Sequence, residues 1–307
     1  MPKIVVAGVV NIRSALAVDA FPVSLVSSVC RADTISIRLS GSGFTVARTV
    51  QRLGSEVRFA TYAGNDSLGR MVIGDLRRTG LHGPGVLLAG DQARSIVLFD
   101  RDGTRSSTSD LRSTPRLRYP RQVFARLLDT GCDLAVLTNI SFTRPLIPVA
   151  VDRGIPIATD LHVVADMAKP HNQEWMRSAH VLAGSHEQLP VGPADWVRAL
   201  WARYGTEICL IGCGGQGAVL GVRGKPWHIE AVAPRGVRYT GSAGDVLLGS
   251  FVHHYVSSGD PLAAARYAVV TAGWWVGGLP EDCDGPSAAV VADLVASYGL
   301  PVVTRLR

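Results

Sequence analysis

The stretch 239-YTGSAGDVLLGSF-251 places three small residues directly before a single carboxylate. The small residues are Ser242, Ala243 and Gly244, the carboxylate is Asp245, and an apolar run begins immediately after it. Small residues let several backbone N–H groups converge without obstruction by side chains. The stretch therefore predicts a cradle of backbone N–H groups next to Asp245.

The apolar run predicts a helix over residues 246–257, with Gly259 as its end signal. The residues from Gly241 to Asp245 would then lie at a helix N-terminus, where the N–H groups and the helix dipole favour an anion. An Asp that caps the helix after a tight turn explains the same spacing. Spacing alone leaves both interpretations open.

The length allows one large α/β domain or two small ones, and the composition is that of a folded protein. The 307 residues are 47% hydrophobic and 18% charged, which allows a sizeable core and argues against disorder. The formal net charge of +6 is spread widely, and the most basic segment, 112-RSTPRLRYPR-121, is broken by two prolines. This pattern favours small anionic molecules over nucleic acid as binding partners.

Neither a membrane span nor a disulfide framework is expected. The longest late apolar stretch, 268-AVVTAGWWVGGL-279, is too short to cross a bilayer. The five cysteines form no Cys-x-x-Cys pair, and Cys209 and Cys213 lie in an apolar, strand-like segment typical of reduced core thiols. We therefore expect a cytoplasmic protein.

Strand-like and helix-like segments alternate along the chain, which predicts one doubly wound α/β domain over residues 1–307 with a mostly parallel sheet. Two segments interrupt the alternation, at about 13–39 and 94–107. The first contains the period-2 pattern 34-TISIRL-39, and the second resembles a hairpin arm with a turn at Asp102-Gly103. Together they predict a small β-sheet that stands off the main one and acts as a lid.

The stretch 212-GCGGQG-217 matches the spacing G-x-G-x-x-G after a strand. A dinucleotide site would need a helix after the glycines and an acidic residue about 20 residues later. Here the glycines lead into 218-AVLGVRG-224, which reads as another strand. A strand–turn–strand that packs against a nucleotide is the better functional interpretation, and a plain hairpin turn is the alternative.

The motifs taken together resemble the ribokinase-like (PfkB) family of carbohydrate and nucleoside kinases. The S-A-G-D stretch resembles the family's Gly-Ala-Gly-Asp signature, and 40-SGSGFTVARTVQRLG-54 resembles its N-terminal glycine motif. The turn 64-GNDSLG-69 matches Gly-x-Asp-x-x-Gly, and Gly212–Gly217 stands in the place of the family's nucleotide loop. The similarity runs over nearly the whole chain.

The resemblance implies a role for each part of the signature. Asp245 would be the general base that accepts the proton of the attacking hydroxyl, and the N–H groups of Ser242, Ala243 and Gly244 would form the anion hole for the γ-phosphoryl group. ATP, with Mg²⁺, would be the co-substrate. Its expected contacts are Ser185, Gly212, Gly214, Gly217 and Gly241.

The acceptor side departs from the family pattern. The family usually has an Asp that binds two sugar hydroxyls where this chain has Arg13, and Thr45 replaces the motif's Asn. An Arg offers donors only. Either the acceptor presents negative charge or carbonyl groups there, which the surplus positive charge of the chain favours, or Arg13 turns away into a salt bridge and the site is altered or inactive. The expected substrate contacts are Asn11, Arg13, Gly41, Ser42, Gly43, Thr45, Asn139 and Asp245.

The family's Asn-x-x-Glu element, which helps to hold Mg²⁺ and phosphate, falls at 185-SHEQ-188. Ser185 replaces its Asn and Gln188 replaces its Glu, so no metal ligand is assigned, although Glu187 is a partial substitute. Asp160 and His162 follow a strand and either face the cleft or cap a turn. His253 and His254 are expected to be exposed on the helix after the signature.

The sequence thus predicts an ATP-dependent kinase that phosphorylates a hydroxyl of a sugar or nucleoside, with neither nucleic acid nor membrane as a partner. A homodimer formed through the lid is a further expectation. The alternative is a catalytically impaired ligand-binding or regulatory protein on the same fold, which the changes at Arg13, Ser185 and Gln188 favour and the retained Asp245 opposes.

Overall fold

The computed structural model describes residues 1–282 and 284–307, so Cys283 lies outside the described residues. The strands, in chain order, are β1 Lys3–Ala7, β2 Asn11–Ala17, β3 Ile35–Ser40, β4 Glu56–Ala63, β5 Val86–Leu88, β6 Arg94–Phe99, β7 Arg105–Asp110, β8 Leu134–Leu137, β9 Ile157–Asp160, β10 Val181–Ser185, β11 Ile208–Gly212, β12 Ala218–Val222, β13 Lys225–Ile229 and β14 Val303–Arg305. The α-helices are α1 Ser42–Arg52, α2 Ser67–Arg78, α3 Arg121–Asp129, α4 Ile147–Val151, α5 Pro170–Ser178, α6 Pro193–Tyr204, α7 Ala243–Ser258, α8 Pro261–Trp275 and α9 Ala288–Tyr298.

The main sheet has ten strands in the order β14-β13-β12-β11-β10-β9-β8-β1-β4-β5. The strands from β5 to β11 in this order are parallel, and β12, β13 and β14 extend the sheet as an antiparallel edge. Parallel strands need crossover connections, which the intervening helices supply. The predicted doubly wound α/β fold is confirmed.

Both faces of the main sheet are buried, as β1 illustrates. Ile4 and Val6 point into one apolar cluster, which includes side chains of α1, α2, α7 and α8. Val5 and Ala7 point into the opposite cluster, which α3, α4, α5 and α6 complete. Alternate side chains of a strand face opposite sides of its sheet, so a strand covered on both faces reads as a continuous apolar run.

The interrupting segments form a separate small sheet in the order β3-β2-β6-β7. Strand β2 pairs antiparallel with β3 and parallel with β6, and β6 and β7 form the hairpin that turns at residues 101–103. The predicted small sheet is therefore confirmed.

The apolar run at the start of the sequence predicts a first strand over Val5–Val10, but the observed strand β1 differs in its bounds. It ends at Ala7, and Asn11 and Arg13 lie on β2 of the small sheet. The reason is close packing at Gly8, where a Cβ would lie 2.7 Å from Cα of Gly43. The chain leaves the main sheet at this point, beside the start of α1.

Among the described residues, no helix is both long enough and apolar enough to cross a membrane.

Candidate active site

A cavity of about 580 Å³ opens at the carboxyl ends of β9, β10 and β11. Asp160, Ser185 and Gly212 are the last residues of these three strands, and each of them lines the cavity. Ligands of open parallel sheets bind at this edge, where loops and helix N-termini converge. The N-terminus of α7 closes one side of the cavity, and the segment 231–233 with α8 forms an apolar wall.

Helix α7 carries Asp245 in its first turn. Ser242 is the N-cap, in a left-handed conformation with φ 61°, and its side chain makes no capping hydrogen bond. Asp245 is the third residue of the helix, so the interpretation of Asp245 as the N-cap is wrong. Its side chain is 9% exposed, and its Oδ1 has no hydrogen-bond partner. A buried carboxylate oxygen without a partner is costly for stability, which marks a site kept for function.

The small residues before Asp245 lie at the cavity. Ser242, Ala243 and Gly244 line the cavity together with Asp245. The first N–H groups of a helix have no intrahelical partner and can face an anion. The N–H of Ala243 already donates to the carbonyl of Thr240 over 3.3 Å, a long bond that an anion would have to replace.

The body of α7 is held by close packing. Val246, Leu248, Phe251 and Val252 are fully buried. A Cβ at Gly249 would lie 2.9 Å from Cβ of Thr49. The backbone of α7 at Gly249 therefore packs directly against the Thr49 side chain of α1. This packing fixes the position of the N–H groups at the start of the helix.

The glycine-rich stretch is a strand–turn–strand, as its sequence predicted. Strand β11 ends at Gly212, a 3-10 turn spans Gly214–Gln216, and β12 returns antiparallel from Ala218. No helix follows the glycines, so the requirement of a dinucleotide site is not met. Gly212, Gly214 and Gly217 line the cavity. Close packing also requires a glycine at position 217, because a Cβ there would lie 2.1 Å from the carbonyl oxygen of Ile229.

The contacts of Gly241 are with neighbouring side chains and not with the cavity. A Cβ at this position would lie 2.2 Å from the hydroxyl of Tyr239, and Trp275 donates its indole N–H to the Gly241 carbonyl over 2.7 Å. Gly241 is not among the residues that line the cavity. Gly241 directly precedes residues 242–244, which we call the anion loop, and these two contacts hold the chain where it enters that loop.

The 185-SHEQ-188 element contributes one wall. The hydroxyl of Ser185 accepts a hydrogen bond from the Glu187 N–H over 3.2 Å, and Nδ1 of His186 lies 3.1 Å from the Gly212 carbonyl. Ser185, His186 and Glu187 line the cavity. Gln188 is exposed with φ 63°, which places it outside the lining.

Two further polar side chains reach the cavity beside Asp245. Asp160 is buried, and the half-exposed ring of His162 lies with Nδ1 3.3 Å from Oδ2 of Asp160. Asp160, His162 and Asp245 each place one oxygen or nitrogen within 4.8 Å of the other two. Asp160 Oδ2 is engaged by the imidazole, and Mg²⁺ prefers oxygen ligands. We therefore interpret the three residues as a charge cluster, in which Asp160 and His162 form an ion pair beside Asp245.

Arg105 is a cavity residue that sequence reasoning missed. It begins β7 of the small sheet, and its Nε lies 3.3 Å from the hydroxyl of Thr240. Among the described residues that line the cavity, Arg105 is the only Arg or Lys. Its neighbours in sequence give no signal, because only the pairing of β6 with β7 brings it to the anion loop.

The predicted acceptor contacts on the small sheet lie away from the lining of this cavity. Arg13 is 4% exposed, donates to the Pro280 carbonyl and lies 5.4 Å from the ring centre of Tyr239. Asn11 is buried, with its Nδ2 3.4 Å from the Ser95 hydroxyl and its Oδ1 without a partner. Of these two side chains, Asn11 therefore retains a free acceptor atom.

The remaining predicted acceptor residues surround the start of α1 and the end of β8. Gly41 has φ 102°, which only glycine adopts easily, and Ser42 begins α1. Gly43 and Thr45 are buried, and a Cβ at Gly43 would lie 2.4 Å from the Gly8 backbone. Gly43 therefore serves helix–strand packing. Asn139 follows β8 and lies 3.5 Å from the side chain of Asn172.

Comparison with protein families finds one match, to the pfkB family carbohydrate kinases over residues 1–110. Deoxyribokinase from Salmonella typhi is 33% identical over 102 residues, which are 32% of this chain and 33% of the relative. The resemblance to the PfkB kinases is confirmed. Deoxyribokinases are phosphotransferases with an alcohol acceptor, so the predicted enzyme class is that of this relative.

A longer alignment links the chain to the bifunctional protein HldE from Pelobacter propionicus. The two are 27% identical over 290 residues, which are 86% of this chain and 56% of HldE. The chain thus spans a third to just over half of the length of these curated relatives.

Solved structures show the PfkB-type fold over the whole chain. The microbiome-derived acarbose kinase Mak1 has a TM-score of 0.85 at 22% identity and covers 96% of this chain and 99% of its own. Ribokinase from Arabidopsis thaliana, solved with ribose and ATP, has a TM-score of 0.76 at 19% identity, over 96% of this chain and 98% of its own. At these identities, the likeness establishes the ribokinase-like fold alone.

Proposed function

We propose that the chain is an ATP-dependent kinase that transfers the γ-phosphoryl group to a hydroxyl of a sugar or nucleoside, with Asp245 as general base. One observation carries this proposal. A buried carboxylate with an unpartnered oxygen stands in the first turn of α7, in the cavity that the glycine-rich strand–turn–strand also lines. The family match and the names of the relatives support the reaction class.

In the proposed reaction, the acceptor hydroxyl oxygen attacks the γ-phosphorus and gives its proton to Asp245. The new O–P bond forms as the bond to the β-phosphate oxygen breaks, and ADP leaves. The N–H groups of Ser242, Ala243 and Gly244, with the dipole of α7, stabilise the charge on the γ-phosphoryl oxygens. Phosphoryl transfer depends mainly on such positioning and electrostatic stabilisation.

ATP would lie across the cavity floor. Gly212, Gly214 and Gly217 present backbone without side chains, and the apolar wall of Val269, Ala272 and Val276 suits a nucleobase. Arg105 and the N-terminus of α7 supply positive charge for the phosphates. Ser185 at the end of β10 completes the proposed nucleotide contacts.

Mg²⁺ is implied by the proposed use of ATP. Magnesium in such sites commonly needs only one or two carboxylates, because substrate phosphates and water fill the other positions. The carboxylate of Glu187 lines the cavity and belongs to an exposed, accessible residue, so it fits this role. When bound, the metal would neutralise phosphate charge.

The acceptor would lie between the small sheet and the start of α1. Its proposed contacts are Asn11, Arg13, Gly41, Ser42, Gly43, Thr45 and Asn139. The free Oδ1 of Asn11 supports this placement, since a hydroxyl can donate to it. Arg13 contributes here as a residue that holds β2 in position. The small sheet, segments 13–39 and 94–107, would then act as a lid.

A homodimer formed through the small sheet is supported by its exposed apolar side chains. Ile35 and Ile37 on β3 and Ile96 on β6 are 67%, 44% and 58% exposed. Large apolar residues grouped on one sheet are typical of protein interfaces. The second copy of the chain would cover this surface.

The rival function is a ligand-binding or regulatory protein without catalysis. The observation that favours it is Arg13. Its guanidinium contacts Pro280 and Tyr239. Since Arg13 stands where the family usually has an Asp, no carboxylate is present at that position to hold acceptor hydroxyls. The unpartnered Oδ1 of Asp245 favours the kinase, because a protein that only binds ligands gains nothing from it.

A screen of sugars, sugar phosphates and nucleosides for ADP release tests the proposal. We expect at least one acceptor to give turnover above the ATPase rate without acceptor. A mass gain of one phosphate on that acceptor would support the transfer. Tight binding of an acceptor and ATP with no phosphorylated product would favour the rival function.

A further inference from the structure

Asp245 stands in an environment that disfavours its ionised form. The pKa of Asp245 is raised to about 6. Burial is the largest cause and the neighbouring carboxylate of Asp160 acts in the same direction, whereas His162 and the Ser242 hydroxyl act to lower the pKa. A general base must be ionised before it can accept a proton. The proposed function therefore requires a group that offsets the burial and the second carboxylate.

The backbone places one cation beside Asp245. Asp160 ends β9, and its Oδ1 accepts the N–H of His162 over 2.7 Å. This turn holds His162 at φ 56°, and the His162 carbonyl accepts the N–H of Ser185 over 2.7 Å. Oδ2 of Asp160 lies 3.3 Å from Nδ1 of the imidazole. Asp160 thus holds the ring, and a carboxylate oxygen of Asp245 lies within 4.8 Å of a ring nitrogen.

We propose, on the basis of the proposed kinase function, that His162 is a positioning residue whose imidazolium, held by Asp160, keeps Asp245 ionised as the base. With the imidazole protonated, the cluster of Asp160, His162 and Asp245 carries one net negative charge. Without it, two carboxylates would share the site, and one of them would bind a proton. The proton from the acceptor hydroxyl then has a vacant carboxylate to receive it.

The charge states of the pair agree with this role. The Asp160 carboxylate raises the pKa of His162 to about 9, against the opposing effect of burial. Burial acts to raise the pKa of Asp160, but the charge and the hydrogen bonds of His162 outweigh it and the pKa lies below its usual value. The side chain of His162 is 46% exposed, so solvent weakens these electrostatic effects, and a bound nucleotide that excludes solvent would strengthen them.

The other charged groups of the cavity are Arg105 from β7 and His186 and Glu187 after β10. Arg105 is engaged by Thr240, and His186 by the Gly212 carbonyl. The side chain of Ser242 is the remaining polar neighbour of Asp245. Of the described charged groups of this cavity, His162 is the one whose ring nitrogen lies within 4.8 Å of a carboxylate oxygen of both Asp160 and Asp245.

The test compares three variants in the absence of nucleotide: His162→Gln, Asp160→Asn with His162→Gln, and the exposed His82→Gln as control. Carboxyl carbon NMR, assigned with Asp245→Asn, measures the titration of Asp245. We expect His162→Gln to raise the midpoint by about one pH unit, the usual effect of one close charge. The double variant should fall back toward the wild type, because it also lacks the repelling carboxylate. His82→Gln should leave the midpoint unchanged.

This order of the Asp245 midpoints distinguishes an electrostatic effect of His162 from a structural one. If His162→Gln acted by damaging the fold, adding Asp160→Asn would not restore the midpoint. Imidazole nitrogen NMR of the wild type should show His162 protonated at pH 7.5. A wild-type His162 that titrates near about 6.5, the value of a free histidine, would overturn the proposal. So would an Asp245 midpoint that His162→Gln leaves in place. Neither measurement needs turnover, so a failed kinase assay would be a separate result.

Discussion

Arg13 joins the small sheet to the segment that precedes the anion loop. Its guanidinium donates to the Pro280 carbonyl and lies over Tyr239, two residues before Gly241. Tyr239 packs in turn against Phe99 of β6, with ring centres 5.6 Å apart. One buried side chain therefore helps to set the distance between the proposed lid and the start of α7.

Arg13→Ala should raise the acceptor's KM and change the Kd of ATP little. The physical reason is that the hydrogen bond from Arg13 to the Pro280 carbonyl holds β2 and its proposed acceptor contacts in position. A hydrogen bond from a charged group contributes about 1.5–3 kcal/mol, so its loss should raise KM by about tenfold or more. Arg38→Ala is the control, because Arg38 on the neighbouring β3 is exposed and donates to the Glu281 carbonyl. Steady-state kinetics with unchanged KM for Arg13→Ala would contradict a role of Arg13 in positioning the acceptor contacts of β2.

Gly214→Val should weaken ATP binding more than acceptor binding, because the new side chain would project from the turn that lines the cavity. Gly214 has φ 57°, so a valine also strains the backbone. Gly205→Val imposes similar strain at φ 67° on the C-cap of α6, where a Cβ meets nothing within 4 Å. Calorimetry that finds equal loss of ATP affinity in both variants would contradict a nucleotide contact at Gly214.

At the scale of elements, the packing around α7 half-buries two histidines that the sequence predicts to be exposed. His253 and His254 were expected to be exposed, yet Nδ1 of His253 lies 2.7 Å from the Ser55 hydroxyl, and the His254 ring stacks on Tyr267 of α8 at 4.4 Å. Nε2 of His254 is buried without a partner. The cause is that α7 is covered on several sides, so its polar residues do not mark a solvent face.

His254 should make the free energy of unfolding depend on pH. Burial, followed by the nearby His253, lowers its pKa to about 4, whereas a histidine of the unfolded chain titrates near about 6.5. The unfolded state then takes up the proton first as the pH falls. The contribution of His254 is complete above the unfolded value and is lost progressively between about pH 6.5 and pH 4.

His254→Phe keeps a ring on Tyr267 without a titrating group. Urea unfolding between pH 6.5 and pH 4.5 should show a loss of stability smaller by about 2 kcal/mol in this variant than in the wild type. The exposed His82→Phe serves as the control for removal of a histidine. Parallel curves for the wild type and His254→Phe would show that His254 is not the residue responsible.

At the scale of the whole molecule, the sequence carries most of the fold and the centre of the site. Alternating apolar segments predict the parallel sheet, because strands covered on both faces must be apolar throughout. The run from Gly241 to Asp245 predicts the helix start and its carboxylate. These features are local in sequence, and so a single stretch of residues reveals them.

The parts that the sequence leaves out depend on contacts between distant segments. Arg105 reaches Thr240 across 135 residues, and Arg13 reaches Pro280 across 267. The Asp160–His162 pair is local, but its meaning depends on Asp245, which only the meeting of β9 with α7 reveals. Neither periodicity nor motif spacing carries information of that kind.

The central claim is that Asp245 is the base of a phosphoryl transfer in this cavity. Asp245→Asn keeps the size of the side chain, removes the proton acceptor and leaves the anion loop in place, so folding and ATP binding should persist. Turnover with the acceptor found by the screen should fall by about 10²–10⁴-fold, the usual contribution of a general base. Near-normal turnover in Asp245→Asn, with wild-type ATP affinity, would contradict the claim.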